Sequence, residues 1–155
     1  MNSRERFLAA LNGDPVDRPP VAHLSALTTV ALQETTGCRM PHVHTHPSAL
    51  VRLSGANHDL LGFDAVTFLI DYFNEPAACG AEMDWGNERE YPRCTSLPWQ
   101  TPEDAQIPSH LLDRPPLPAC LEAIQLAKAQ YGDRIAVLGK IMGPFSMVLA
   151  LHGIE

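Results

Sequence analysis

The stretch FDAVTFLI, residues 63–70, is the feature that most constrains how this chain can fold. Its apolar residues fall on both faces of an extended strand, which is typical of a strand buried inside a parallel sheet. A second stretch of strand type, RIAVLGKIMG, covers residues 134–143, and a helical stretch precedes it at residues 117–131. Strand, helix and strand in this order favour a parallel sheet covered by helices, so the sequence predicts an α/β fold.

The first helix is indicated by its capping residues. Asn2 can accept a hydrogen bond at the N-terminus of the helix, and Glu5, three residues later, completes a capping box. Gly13 is the expected C-terminal stop, because glycine readily adopts the left-handed conformation that ends helices. The predicted apolar stripe of this helix consists of Phe7, Leu8 and Leu11.

Later helices are predicted from terminal glycines and from prolines in the first turn. The second helix runs from Ala26 to Thr36, and the third begins near Pro47 and ends at Gly62. A last helix begins at Pro144 and runs up to Gly153. The residues expected to face the core are Leu50, Leu53 and Leu60 in the third helix and Leu121, Ile124 and Tyr131 in the helix at 117–131.

The chain is predicted to be a single partial domain. Residues 1–61 would form an N-terminal helical extension, and residues 62–155 the part that carries the two strands. Within that part, residues from about 86 to 116 are rich in proline and predict an irregular excursion. Trp85 and Trp99 flank the excursion and are expected to anchor it to the core, the alternative being that they cover a flat ligand.

The composition excludes several classes of protein. Apolar residues at 45% and charged residues at 19% indicate a packed core rather than disorder. A net charge of −7, with no run of Lys or Arg, disfavours nucleic-acid binding. No apolar stretch approaches the ~20 residues that span a bilayer, and the N-terminus lacks a secretory signal. Sparse cysteines without a CxxC pair suit a reducing compartment, so we expect a cytoplasmic protein with no membrane or nucleic-acid partner.

Three single residues and one two-residue turn are candidate positions in the predicted elements. Asp71 ends the first strand, where its carboxylate either serves function, caps the next helix or faces solvent. His23 follows a possible short strand and is either a satisfied polar group or a ligand for substrate. Lys140, within an apolar strand, is expected to face the end of the sheet or extend outward. Gly143 and Pro144 form a strand-to-helix turn where backbone can approach a ligand closely.

A local metal-like motif, HVHTH, contains His42, His44 and His46. In an extended segment these three imidazoles would share one face and could bind a transition metal. The prolines at 41 and 47 disfavour a regular strand, however, so capping or turn roles are the preferred interpretation. No residue is therefore assigned as a metal ligand.

Several segments together resemble the uroporphyrinogen decarboxylase superfamily. The opening, MNSRERFLAALNGDPVDRPPVA, is similar to the start of that superfamily. Three further segments, THPSALVRLSGANHDLLGFDAV, AACGAEMDWG and GKIMGPFSMVLALHG, resemble its cobalamin-dependent methyltransferase branch. The resemblance implies a (β/α)8 barrel with an N-terminal helical extension. Because such barrels need at least ~200 residues, this chain resembles only the front portion, the extension and the first two βα units.

The resemblance also implies roles for individual residues. Asp71 matches the aspartate that binds the pyrrole nitrogens of the tetrapyrrole in the decarboxylase, and it would stand at the functional end of a barrel strand. His44 matches a histidine of the methyltransferases and implies a substrate-facing role. The turn formed by Gly143, Pro144 and Phe145 implies a pocket wall.

The same resemblance implies a corrinoid, cobalamin, as substrate or partner cofactor. Zinc is also expected in the methyltransferases, where a His-x-Cys pair and a later Cys hold it in the second half of the barrel. No matching ligands are present here, so we expect this chain alone to be inactive as a methyltransferase. Its partners would be a small-molecule substrate or a corrinoid protein, with a second chain as a further candidate to complete the barrel.

Three functions stay open after this reasoning. Corrinoid-linked methyl transfer to a thiol or folate acceptor is favoured, because the segment after Arg18 contains no arginine before Arg39. A decarboxylase needs guanidinium groups there to clamp its polyanionic substrate. Uroporphyrinogen decarboxylation is the first alternative, and a non-catalytic binding or scaffolding module completed by another chain is the second.

Overall fold

The computed structural model describes residues 1–24, 28–69 and 72–153. Six α-helices lie in these ranges: α1 Ser3–Asn12, α2 Val30–Thr36, α3 Pro47–Asp59, α4 Asn74–Ala78, α5 Leu117–Tyr131 and α6 Pro144–Leu151. The five strands are β1 Ala22–His23, β2 Ala65–Thr67, β3 Met83–Asp84, β4 Arg93–Cys94 and β5 Ala136–Leu138. No helix in the described ranges has the length and apolar character needed to cross a bilayer.

The main sheet is parallel, as the sequence predicts. Its strand order is β1-β2-β5, and Ala65 in β2 lies opposite Ala22 on one side and Ala136 on the other. The sequence predicts two buried strands and indicates a possible further short strand just before His23. That third strand is present and belongs to the sheet, although it lies within residues 1–61, the predicted helical extension.

The hydrophobic core lies between the sheet and the helices α3 and α5. Val66 and Phe68 belong to this core, whereas their neighbours Ala65 and Thr67 do not. Because side chains alternate along a strand, Ala65 and Thr67 face the opposite side of the sheet. They are nevertheless buried, so β2 is covered on both faces.

The termini of several helices are confirmed. Asn2 caps α1 in a full capping box with Glu5, and Gly13 ends it with a φ of 79°. The bounds of α5 and the start of α6 at Pro144 also match. The second helix begins later than predicted, at Val30 behind the cap Thr29, and its predicted start at Ala26 lies outside the described residues.

The predicted apolar faces are partly wrong. Leu11 is 73% exposed, Leu60 56% and Leu121 41%. In α1 the buried residue is a charged one, Arg6. In α5 the buried face is rotated by about one residue from the prediction, toward the small side chains, and consists of Leu117, Cys120, Ala123, Ala127 and Tyr131.

The excursion is mostly irregular, and its strand β4 pairs antiparallel with β3, which lies just before it. Trp99 ties it to the end of α6: its backbone N–H donates to the carbonyl oxygen of Leu151 at 2.9 Å. The Nδ1 atom of His152 lies 2.8 Å from the carbonyl oxygen of Trp99. Trp99 therefore sits where the sequence expects an anchor.

Candidate functional site

The carboxyl ends of β2 and β5 meet at one edge of the sheet, where functional groups of parallel sheets are expected. Lys140 follows β5 and is half-buried there. Its Nζ atom lies 3.4 Å from the carbonyl oxygen of Leu69 and 3.8 Å from the centroid of the Tyr72 ring. A cation held against an aromatic face and a carbonyl is electrostatically oriented, so Lys140 faces the end of the sheet, as predicted.

A second contact holds the loop after β5 in place. The backbone N–H of Met142 donates to Oε1 of Glu75 at 3.1 Å. Glu75 belongs to α4, which begins shortly after β2 and packs against α6. The loop at residues 139–143 is thus tied to the elements that follow the neighbouring strand.

The turn predicted as a pocket wall is exposed. Gly143 is the N-cap of α6, and Pro144 occupies the first helical turn. Phe145 is 74% exposed, and Ile141 in the preceding loop is 83% exposed. This part of the strand end therefore presents apolar side chains to the surroundings.

Two predicted site residues are not placed in detail. Asp71, the predicted catalytic carboxylate, lies outside the described residues, between Leu69 and Tyr72. His23 is the last residue of β1, so its backbone stands at the same end of the sheet as Lys140, and its side chain is not described.

His44 is buried, with 4% of its surface exposed, and its ring lies 5.0 Å from that of Trp85. It lies in the 3₁₀ helix His42–Thr45, three residues before α3 begins. Trp85, at the start of the excursion, therefore packs against the buried His44. This contact fits the anchoring role expected for Trp85.

The HVHTH motif is not extended. Residues His42–Thr45 form a 3₁₀ helix, and the rings of His42 and His46 stack with centroids 3.5 Å apart. His46 is the N-cap residue of α3, and its Nδ1 atom lies 2.9 Å from the carbonyl oxygen of His42. The turn role is therefore the correct interpretation for His46.

The side chains that the structure describes do not fit a zinc site. Within the described ranges, no group of three or more His, Cys, Asp or Glu residues could hold a metal ion. Burial raises the pKa of the Cys79 and Cys94 thiols, which disfavours the thiolate form that zinc needs.

The opposite end of the sheet contains a cluster that sequence reasoning missed. Asp64, just before β2, is fully buried. Its carboxylate accepts hydrogen bonds from Nη1 of Arg6 at 2.7 Å, Nη1 of Arg18 at 2.6 Å and the backbone N–H of Val21 at 2.8 Å. Arg6 also donates to both oxygens of Asp17, at 2.6 and 2.8 Å. These contacts join α1, the turn before β1 and the start of β2.

The charges in this cluster stabilise one another. The hydrogen bond from Arg6 lowers the pKa of Asp17 to about 2. Burial alone would raise the pKa of Asp64, but the donors around it outweigh burial and hold that pKa well below its usual range. The sequence does contain the residues of this cluster: an aspartate at the start of the predicted strand, an arginine in α1 and an arginine in the DPVDRPP turn. That they form ion pairs cannot be predicted from the sequence, because the contacts join residues far apart along the chain.

Three cavities lie away from the strand ends. The largest, of about 700 Å³, runs along the exposed face of α5 and is lined in part by Leu112, Leu121 and Leu126. A cavity of about 350 Å³ lies between α3 and α5, and one of about 300 Å³ lies beside the start of α2. None of these three is lined by a predicted site residue.

The chain is similar to proteins of one kind along nearly all of its length. It is 32% identical over 155 residues to the methylcobamide:CoM methyltransferase MtaA of Methanosarcina barkeri, covering 98% of this chain and 45% of that protein. It is 28% identical over 151 residues to MtbA of Methanosarcina mazei, with the corresponding coverages 97% and 44%. The chain thus spans less than half the length of these relatives.

A solved structure agrees with these similarities. A methyltransferase from Methanosarcina mazei superposes with a TM-score of 0.91 at 32% identity, over 98% of this chain and 45% of that one. The profile of the uroporphyrinogen decarboxylase (URO-D) family matches residues 2–154. This chain therefore belongs to the URO-D family.

Proposed function

We propose that this chain forms the front part of a corrinoid-linked methyltransferase, which moves a methyl group between a methylcorrinoid and a thiol or folate acceptor. The observation that carries the proposal is the similarity to MtaA along nearly the whole chain, at 32% identity. The relatives are named for methylcobamide and CoM, and the solved neighbour is also a methyltransferase.

The arrangement of arginines favours methyl transfer over decarboxylation. Arg6 and Arg18 are committed to Asp64 at the amino ends of the strands. Arg39 pairs with Glu88 at 2.7 Å. Each of these three guanidinium groups is already paired with a carboxylate of the chain, whereas a polyanionic porphyrinogen would need guanidinium groups to clamp it. A corrinoid or a small methyl acceptor needs fewer cationic contacts.

The parallel sheet supports a partial barrel as part of this proposal. Among the described residues, β1 and β5 each pair only with β2, so both outer strands have an edge without a strand. In a (β/α)8 barrel such edges are closed by further strands. The remaining strands, from a longer protein or from a second chain, would cover the exposed side chains of Ile141 and Phe145 or enclose a ligand above them.

The residue roles follow from that geometry. Asp71 would stand at the carboxyl end of β2 and stabilise developing charge on the substrate. His23 and His44 would contribute from β1 and from the turn before α3, and Gly143, Pro144 and Phe145 would form one wall of the substrate pocket. A methylcorrinoid would supply the methyl group. We derive no zinc-dependent step, because the described side chains do not fit that metal.

The test compares ligands of the two enzyme classes. The purified protein is titrated with methylcobalamin and, separately, with uroporphyrin as the stable analogue of a porphyrinogen. Binding of methylcobalamin at least tenfold tighter than uroporphyrin is expected. The reverse preference would assign the chain to the decarboxylases, and binding of neither ligand would favour the scaffolding module.

A further inference from the structure

The outer face of α5 carries few charges for a helix surface that faces water. Eight of the residues of α5 are exposed, and only two of these, Glu122 and Lys128, are charged. Four of the eight are apolar: Pro118, Leu121, Leu126 and Ala129. The solvent face of an amphipathic helix is typically charged or polar, and a helix with apolar residues on all sides is typically covered. The composition of this face therefore indicates an occupant.

Two cavities lie along the same face. The one of about 700 Å³ is bounded by the 3₁₀ helix Leu111–Asp113 and by α5, and the one of about 350 Å³ lies between α5 and the start of α3. Leu126 lines both cavities, so they form one continuous depression, which we call the α5 groove. Its lining residues in α5 extend from Pro118 to Gln130, which corresponds to about 18 Å of helix.

Leucine side chains supply the apolar surface of the α5 groove. Leu112, in the 3₁₀ helix, is 61% exposed, and Leu126 is 39% exposed. Leu121 lies in the same groove, although the sequence predicts it in the core. Single exposed leucines are ordinary on a protein surface, whereas several that share one groove mark an interaction site.

The charged residues that line the α5 groove are acidic. They are Asp113 and Glu122, both in the larger cavity, and the Asp113 carboxylate lies 3.6 Å from Nδ1 of His110. The chain as a whole has a net charge of −7. An occupant with Lys or Arg beside its apolar residues would complement these charges. A second copy of this chain, bound symmetrically, would instead bring the same carboxylates together.

We propose that the α5 groove binds an amphipathic helix of a partner protein. The apolar stripe of that helix would contact Leu121 and Leu126, and its Lys or Arg side chains would pair with Asp113 and Glu122. A helix suits the groove because the groove is about three helical turns long, and helix recognition places apolar side chains at i, i+3, i+4 and i+7 into such hollows. This interaction goes beyond the proposed function and does not depend on it.

Fluorescence anisotropy with labelled synthetic peptides tests the chemistry of the partner. The probe is a capped peptide of about 14 residues, made of leucine and lysine, with the leucines at i, i+3, i+4 and i+7. One control peptide has the same composition in scrambled order, and the other has glutamate in place of lysine. We expect the probe to bind with a dissociation constant in the micromolar range and each control peptide to bind at least tenfold more weakly.

Leucine variants test the apolar contact. Leu121→Gln and Leu126→Gln should each weaken binding of the probe at least tenfold. Leu60→Gln changes an exposed leucine outside the groove and is the matched control, expected to bind within twofold of wild type. Thermal melting followed by circular dichroism confirms that the variants fold, and Leu112→Gln provides the same readout if either groove variant in α5 does not.

A charge-reversal pair separates the groove from non-specific attraction. Glu122→Lys should weaken binding of the leucine–lysine probe at least tenfold and strengthen binding of the glutamate peptide. Glu103→Lys makes the same change in net charge at an exposed site in the excursion, so it should change both affinities less than twofold.

Four results would overturn the proposal: no binding of the probe, equal binding of the scrambled peptide, wild-type affinity in the groove leucine variants, or equal effects of Glu122→Lys and Glu103→Lys. Sedimentation velocity of the wild type alone tests the competing occupant, and we expect a monomer. A dimer that Leu126→Gln dissociates would assign the groove to a second copy of this chain and would also overturn the proposal.

Discussion

The two ends of the parallel sheet differ in how their polar groups are satisfied. At the amino ends of the strands, Asp64 is surrounded by donors from Arg6, Arg18 and Val21, all from the chain itself. At the carboxyl ends, open glycines flank Lys140, and Phe145 is exposed. The first end is complete without a ligand, whereas the second has room for one. The proposed function assigns stability to the first edge and binding to the second, as in (β/α)8 barrels.

Arg6, Asp17, Arg18 and Asp64 form the amino-end cluster. The largest loss of stability is expected when its central charge, on Asp64, is removed. Asp64→Asn leaves Arg6 without one of its two carboxylate partners in a buried setting. Breaking a buried ion pair in this way costs roughly 3–5 kcal/mol of stability. Urea unfolding measures the change, with Asp14→Asn, an exposed carboxylate after α1, as the control, expected within about 0.5 kcal/mol of wild type. An Asp64 variant as stable as this control would show that the cluster is not what holds this end together.

A smaller loss is expected where α3 and α5 approach most closely. Gly55→Ala places a methyl group against the Tyr131 ring, which is only 2% exposed and has little room to move. Overpacking of this kind costs about 1–3 kcal/mol. The free energy of unfolding, measured by urea, gives the cost, and no loss would mean that the interface between these helices is loosely packed.

A smaller effect on stability is expected when acid weakens the amino-end cluster. The folded pKa of Asp17 is about 2, below its usual value, so the stability it contributes is present above about pH 4 and is lost as the pH falls toward 2. The effect is modest because 47% of the Asp17 side chain is exposed and solvent screens its pair with Arg6. Melting temperatures of wild type and Asp17→Asn should converge over this range, and a constant difference would contradict the assignment.

The smallest change in stability is expected at the carboxyl end. Gly139→Ala fits the backbone without a clash, so it should stabilise the protein by about 0.4–1 kcal/mol through the unfolded state. A marked destabilisation would mean that the fold itself requires this glycine. The contrast with Gly55→Ala, where the added methyl group meets Tyr131, would then disappear.

The sequence predicts what local signals determine. The capping box at Asn2 and Glu5, the bounds of α5 and the start of α6 depend on neighbouring residues, and the structure has them as predicted. The parallel strand pair follows from apolar runs separated by a helix.

Long-range contacts account for the differences. Arg6 is buried because Asp64, 58 residues away, accepts its hydrogen bond, and no pattern within α1 indicates this. The buried face of α5 includes the small residues Cys120, Ala123 and Ala127, and α5 packs against α3. Counting only large apolar residues therefore selects the wrong face. Strand β1 is only two residues long, too short to show alternation.

Some structural features of the carboxyl-end edge could be predicted from the sequence. The strand-to-helix turn at Gly143 was found from its glycine and proline, and Lys140 from its position in an apolar strand. Two other features depend on how the whole chain folds: the open space beside Gly139, and the Oγ1 atom of Thr67, for which the structure shows no hydrogen-bond partner. Only the three-dimensional arrangement reveals such features.

Hydrogen–deuterium exchange with and without methylcobalamin tests the division between the two ends most directly. The account predicts slower exchange on ligand binding in the loop at residues 139–143 and at the start of α6. Exchange in α1 and in the turn at residues 14–21 should not change. Protection confined to the amino-end segments, or absent from the loop while methylcobalamin is bound, would contradict the account.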